Sequence, residues 1–236
     1  MDEALRNDVS NLLATDLKPR FLSDFNQLLN LNYHTCIENI KDTFYMESNF
    51  HAAQKMFSYA QLYLAEIALH KAAIKHNLMP VLLPNVQKSD QYLILSSQYF
   101  NVLLVRGEAL NKYRGRYKGE WASLNEILEN KQLSLEYDNE VEHKAIESMK
   151  GRITVVIEVS YTMSDITENQ DSLVEPTASF SFSIPNSNNT GSLTSFSYKE
   201  IMHTSQQLDE PSLSNETTSK HSLINIKKRL DRVINE

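Results

Sequence analysis

Cysteine, glycine and long apolar runs are scarce in this chain, and each scarcity removes a class of protein. One cysteine, Cys36, stands in 236 residues, so no internal disulfide framework can form and a reducing, cytoplasmic location is the expectation. No apolar stretch approaches the roughly 20 residues that cross a bilayer, so no membrane span is expected. The opening residues MDEALRNDVSNLL are acidic and amphipathic, unlike the basic start and apolar run of a signal peptide. The GxSxG elbow, the HExxH helix and a family-spaced Cys/His pair are all missing. The seven histidines are scattered at positions 34, 51, 70, 76, 143, 203 and 221, whereas a metal site needs ligands converging at short spacings. Neither a metal nor a cofactor is expected.

What is present belongs to a folding chain. Hydrophobic residues make up 41%, with eleven tyrosines and nine phenylalanines, which suits a buried core. The net charge of −7 argues against coating nucleic acid wholesale but leaves room for one local basic face.

That face has one candidate. Three of the five glycines, Gly107, Gly115 and Gly119, fall in the segment RGEALNKYRGRYKGEW, with Arg106, Lys112, Arg114, Arg116 and Lys118 and the single tryptophan, Trp121. Glycine frees the backbone to turn and the cations favour an anion. The order is not that of a phosphate-binding P-loop, because Lys118-Gly119 is followed by Glu120 rather than Ser or Thr. Tyr113, Tyr117 and Trp121 between the charges give the mix that contacts phosphates while stacking on bases. The structural alternative is a charged loop between a strand and a helix whose aromatics close the edge of the core.

Two other constellations carry less. Glu142-His143-Lys144 has the Glu-x-Lys order of some metal-dependent nucleases, with Glu136, Asp138 and Glu140 upstream, but the spacing of Val141, Ala145 and Met149 puts it on a helix rather than a strand. Glu66 and His70, four apart, read as an ordinary helix-surface pair.

Periodicity divides the chain. Leu5, Val9, Leu12 and Leu13, then Phe21, Leu22, Phe25, Leu28 and Leu29 after Pro19, then Ile37, Ile40 and Phe44 have the spacing of short amphipathic helices. Residues 49–77 predict a central helix with a wide stripe including Met56, Phe57, Leu64, Ile67, Ala68 and Ile74, stopped at Asn77. From Pro80 the period becomes two. Tyr92 to Leu95 and Tyr99 to Val105 read as a hairpin, Trp121, Leu124 and Leu128 as a short helix, Leu133, Leu135 and Tyr137 as a strand, and Val141, Ala145 and Met149 as a helix. Alternation over Ile153 to Tyr161 and over Ala178 to Ile184 predicts strands with one wet face, and Thr194, Phe196 and Tyr198 a last strand after the loop PNSNNTG. Residues 162–177 form a long acidic connection.

The expected fold is α+β: a helical part at 1–79, a largely antiparallel sheet domain at 80–204, a flexible linker at 205–219 and a docking helix at 220–236. In that helix Leu223, Ile226, Leu230 and Val233 make the apolar face, flanked by Lys227, Lys228, Arg229 and Arg232. The functional expectation is a non-enzymatic interaction or regulatory protein that binds a macromolecule, foremost a protein, through its sheet domain and C-terminal helix. The alternative is a nucleic-acid-binding protein or metal-dependent nuclease using residues 106–118. The anion- or partner-binding candidates are Arg106, Lys112, Arg114, Arg116, Lys118, Lys227, Lys228, Arg229 and Arg232, and self-association is a further expectation.

Overall fold

Residues 3–44, 46–84, 91–106, 121–129, 151–162 and 177–209 are described by a computed structural model. Three helices, α1 (Glu3–Leu17), α2 (Pro19–Phe44) and α3 (Met46–Lys75), precede strands β1 (Met79–Pro84), β2 (Gln91–Ser96) and β3 (Phe100–Arg106). A helical turn at 121–123 runs into a 3-10 helix, Leu124–Glu129, followed by β4 (Ile153–Thr162), β5 (Thr177–Pro185), β6 (Ser192–Ser197) and a last helix, α4 (Tyr198–Asp209). The fold is α+β, with a six-stranded, mostly antiparallel sheet.

Backbone chemistry explains the element boundaries. Lys18 adopts the left-handed conformation (φ 56°) between α1 and α2, and Pro19 opens α2 at the position where a missing N–H costs nothing. At the end of α3, Asn77 is left-handed (φ 56°). The Leu78 amide donates to the Ala73 carbonyl and the Asn77 amide to that of Ile74, the double closure of a Schellman turn. Asn77 is thus the stop the sequence suggests. Ser197 and Glu200 form a capping box at α4: the Ser197 amide donates to Glu200 Oε2 (2.6 Å) and the Glu200 amide to Ser197 Oγ (3.1 Å), satisfying two orphan donors reciprocally.

The strands lie in sequence order, β1-β2-β3-β4-β5-β6, and every neighbouring pair is antiparallel except β3 and β4. Two three-stranded meanders therefore meet side by side along a parallel seam, where Phe100 stands opposite Ile153 and Arg106 opposite Val159. One face of the sheet, carrying Leu95, Val102, Val155, Ile157, Phe180 and Phe182, is buried with α1, α2 and α3 in the main core. Within the helical layer α2 and α3 run antiparallel, since Asn32 Nδ2 donates to the Leu64 carbonyl while Asp24 meets His76. α4 lies parallel to α1, through Arg6 to Glu200 and Ser10 to Thr204.

Several expectations are corrected. α2 is one continuous helix of 26 residues, because Phe25, Leu29, Tyr33 and Ile37 continue a single buried stripe. Tyr198, expected in the last strand, opens α4, and α4 extends through the first residues of the expected linker to Asp209. Ile67 and Ile74 are 46% and 57% exposed, so the stripe of α3 that faces the core is the one with Phe57, Ala65, Ala68 and Ala72. The expected strand at Leu133, Leu135 and Tyr137, the helix around Val141 to Met149, the interior of the acidic connection, residues 210–219 and the C-terminal helix lie outside the described residues.

Candidate interaction surface

The second face of the sheet is built from the residues that alternate with the core, and it has two unlike halves. Over β1 to β3 it is apolar and covered: Leu83, Tyr92, Ile94 and Leu103 pack with Trp121 and Leu124 in a smaller core. Trp121 is fully buried and its Nε1 donates to Tyr92 Oη at 3.2 Å. The segment 121–129 is therefore a plug on this half, and Trp121 is not available for stacking on a base.

Asn125 holds the plug to the sheet. The register that sets Val156 opposite Ser183 would put Thr154 opposite Pro185, and a proline has no N–H to donate. The buried Asn125 amide fills the gap. Its Nδ2 donates to the carbonyls of Thr154 (3.0 Å) and Pro185 (2.8 Å), and its Oδ1 accepts from the Thr154 amide (2.7 Å).

Over β4 to β6 the same face is lined by hydroxyls around one carboxylate. Glu158 stands opposite Ser181, and Ser160 opposite Ser179, while Ser195 and Ser197 flank Ser183 and Ser181 from β6. Ser160, Ser179, Ser195 and Ser197 are exposed. Ser183 is buried and donates its hydroxyl to Glu158 Oε1. Serine both donates and accepts, so a rigid strand pair presents hydrogen-bonding groups of both kinds at regular spacing. The described histidines all lie in the helical layer, behind the sheet. Among the described residues no three His, Cys, Asp or Glu side chains come close enough to hold a metal ion.

Both sheet edges are closed to a further strand. On β1, Pro80 and Pro84 carry no N–H to extend the ladder. On β6, Arg6 Nη2 donates to the Ser195 carbonyl (3.2 Å), Glu200 takes the Ser197 amide, and the Arg6 guanidinium lies 4.8 Å over the Phe196 ring. The Ser197 amide, then Arg6, then the Ser197 hydroxyl hold the Glu200 carboxyl below its usual 4.5. A second ionic cluster joins α2 to the end of α3: Asp24 Oδ2 lies 2.8 Å from Lys75 Nζ and 2.6 Å from His76 Nε2. These partners, Lys75 first, lower the Asp24 pKa. Burial raises the Cys36 thiol and, helped by Cys36, pushes Tyr33 up to about 12.

Of the basic residues singled out by sequence, Arg106 is the last residue of β3. Lys112, Arg114, Arg116, Lys118, Lys227, Lys228, Arg229 and Arg232 lie outside the described residues. The segment after Arg106 leaves from the carboxyl end of the parallel pair β3–β4 and is fixed at its other end by buried Trp121. Sequence reasoning missed Asn125 and the Asp24 cluster, which no local pattern marks. It also missed the Ser-x-x-Glu signature of Ser197 and Glu200, which was there to be read. No helix among the described residues is long and apolar enough to cross a membrane. No protein-family model, curated protein or solved structure matches this chain.

Proposed function

We propose that this protein acts by binding a protein partner through the hydroxyl-lined face of β4 to β6 together with its C-terminal segment, as a non-enzymatic interaction or regulatory protein. The supporting observation is the exposed row of Ser160, Ser179, Ser195 and Ser197 around Glu158. Closed edges turn recognition from strand addition to this face. The tail contributes Leu223, Ile226, Leu230 and Val233, since a helix of about 15 residues is marginal alone in water and is stabilised by a surface to pack on. A cytoplasmic setting belongs to the same proposal and rests on the single, half-buried thiol of Cys36.

The test is partner retention by Ser179→Arg/Ser195→Arg, which places two long cations on the open face without touching the core or the cap of α4. Loss of a cross-linked partner with an unchanged circular dichroism spectrum is expected. Full retention by the folded variant would move recognition elsewhere.

A second reading, a polyanion on residues 106–118, is favoured by the exit of that segment at the carboxyl ends of two parallel strands, where open sheets commonly place ligand-binding loops. Arg114→Ala/Arg116→Ala would then weaken binding to DNA or RNA and flatten its salt dependence, because fewer counterions are released. Equal, salt-insensitive binding by wild type and variant would remove this reading.

A further inference from the structure

α3 is apolar on two opposite faces, and among the described residues only one of them is covered. Its buried side is drawn by Phe57, Gln61, Ala65, Ala68 and Ala72. On the outward side Ala60, Tyr63, Ile67, His70 and Ile74 follow one another at intervals of three, four, three and four residues. That is the a/d spacing of a coiled-coil seam. Tyr63, Ile67 and Ile74 are 51%, 46% and 57% exposed. A row of large apolar side chains along one helix is more than a monomer's surface normally carries and marks a contact site. Leu31 of α2 is likewise 61% exposed, one residue before the Asn32 amide that binds the Leu64 carbonyl.

We infer that α3 pairs with α3 of a second copy of this chain, parallel and in register about a two-fold axis along the seam. The flanking charges choose the partner and the direction. With Ile67 and Ile74 at a, Glu66 falls at g and Lys71 at the following e. Parallel pairing sets g against e of the other helix, so two Glu66–Lys71 pairs form by symmetry. Antiparallel pairing sets g against g and e against e, which gives Glu66 and Lys71 no opposite charge across the seam. The seam is therefore complementary to itself in one orientation. Because α3 is already ordered by its own core, pairing costs little chain entropy, and a short seam suffices. The pairing face lies on the far side of the helical layer from the hydroxyl-lined sheet face, so a dimer presents that face twice.

The test uses the full chain. Sedimentation should show a dimer, and Ile67→Glu/Ile74→Glu should raise its dissociation constant by more than about a hundredfold, since four isoleucine side chains lose their burial, with an unchanged thermal midpoint measured on the monomer. Glu66→Lys and Lys71→Glu should each weaken the dimer about fivefold, and the double exchange should restore it. In a Cys36→Ser background, both His70→Cys and Ile74→Cys should form intermolecular disulfides with their own counterparts, which antiparallel helices cannot provide at two separate positions. A monomer at every concentration, a dimer indifferent to the isoleucine changes, or self-cross-linking at one of the two cysteine positions alone would each overturn the inference.

Discussion

Two asparagine side chains complete the sheet where its ladder runs out. Asn125 stands between Thr154 and Pro185. Asn30 does the same for β5 beyond the end of β6, with Nδ2 donating to the Ala178 carbonyl and Oδ1 accepting from the Ala178 amide. Asn125→Ala would leave three buried backbone groups without partners and should cost about 3 kcal/mol in urea denaturation. Asn125→Asp should be no milder, because a carboxylate can take the Thr154 amide but cannot donate to either carbonyl. At the other edge Glu200 gives a pH signature. Its folded pKa is depressed, so its contribution to stability is present in full above the ordinary 4.5 and is lost as pH falls through the lowered value. Asp24 behaves alike around its ordinary 3.8. Wild type should therefore exceed Glu200→Gln in thermal midpoint at neutral pH, and the gap should close in acid. A gap that stays constant down to acid would show that the carboxylate's charge contributes nothing.

At the scale of elements, the plug formed by residues 121–129 decides how the second face is divided. Trp121 and Leu124 fill the smaller core, the Thr154 hydroxyl donates to the Trp121 carbonyl (2.6 Å), and the Ser187 amide donates to Glu129 Oε1 (2.6 Å). Packing and hydrogen bonds thus fix the same short segment to β2, β4 and the turn after β5. Trp121→Ala should cost about 3 to 5 kcal/mol, the usual penalty for emptying a large buried aromatic site. A denaturation midpoint equal to that of wild type would contradict the burial. The loss should also shift the emission of the only tryptophan out of the protein, leaving tyrosine fluorescence to follow unfolding.

At the scale of the molecule, the helical layer, the sheet and the plug form successive layers, and the chain beyond α4 follows a helix already secured at its start by the capping box and Arg6. Deletion of 210–236 should leave the thermal midpoint within about 2 °C of wild type while removing the tail's share of partner retention. Deletion from residue 206 should cost more, because it removes the last turn of α4. A large drop in midpoint on removing 210–236 would make the tail a layer of the core instead of a docking segment.

Local order was open to the sequence wherever one face is wet and the other dry. The strict alternation of Ala178, Phe180, Phe182 and Ile184 with serines defined both β5 and its hydroxyl face, and Asn77 ended α3 as its left-handed preference requires. The α+β class and the antiparallel ends of the sheet follow from such patterns. The parallel meeting of β3 and β4 does not, because strands buried on both faces read alike in either direction. Nor could periodicity choose the inward side of α3. With Phe57, Ala65 and Ala68 on one face and Tyr63, Ile67 and Ile74 on the other, an apolar stripe is available both ways, and only the small alanines allow the close approach of α2 and the sheet. The role of Asn125 was equally closed to the sequence, since an asparagine becomes a surrogate peptide only when a proline from a distant strand arrives opposite a backbone that lacks its donor. What the chain alone determined is the sequence of amphipathic segments; which of their faces meet, and which side chains are drawn into the gaps, was decided by the tertiary packing.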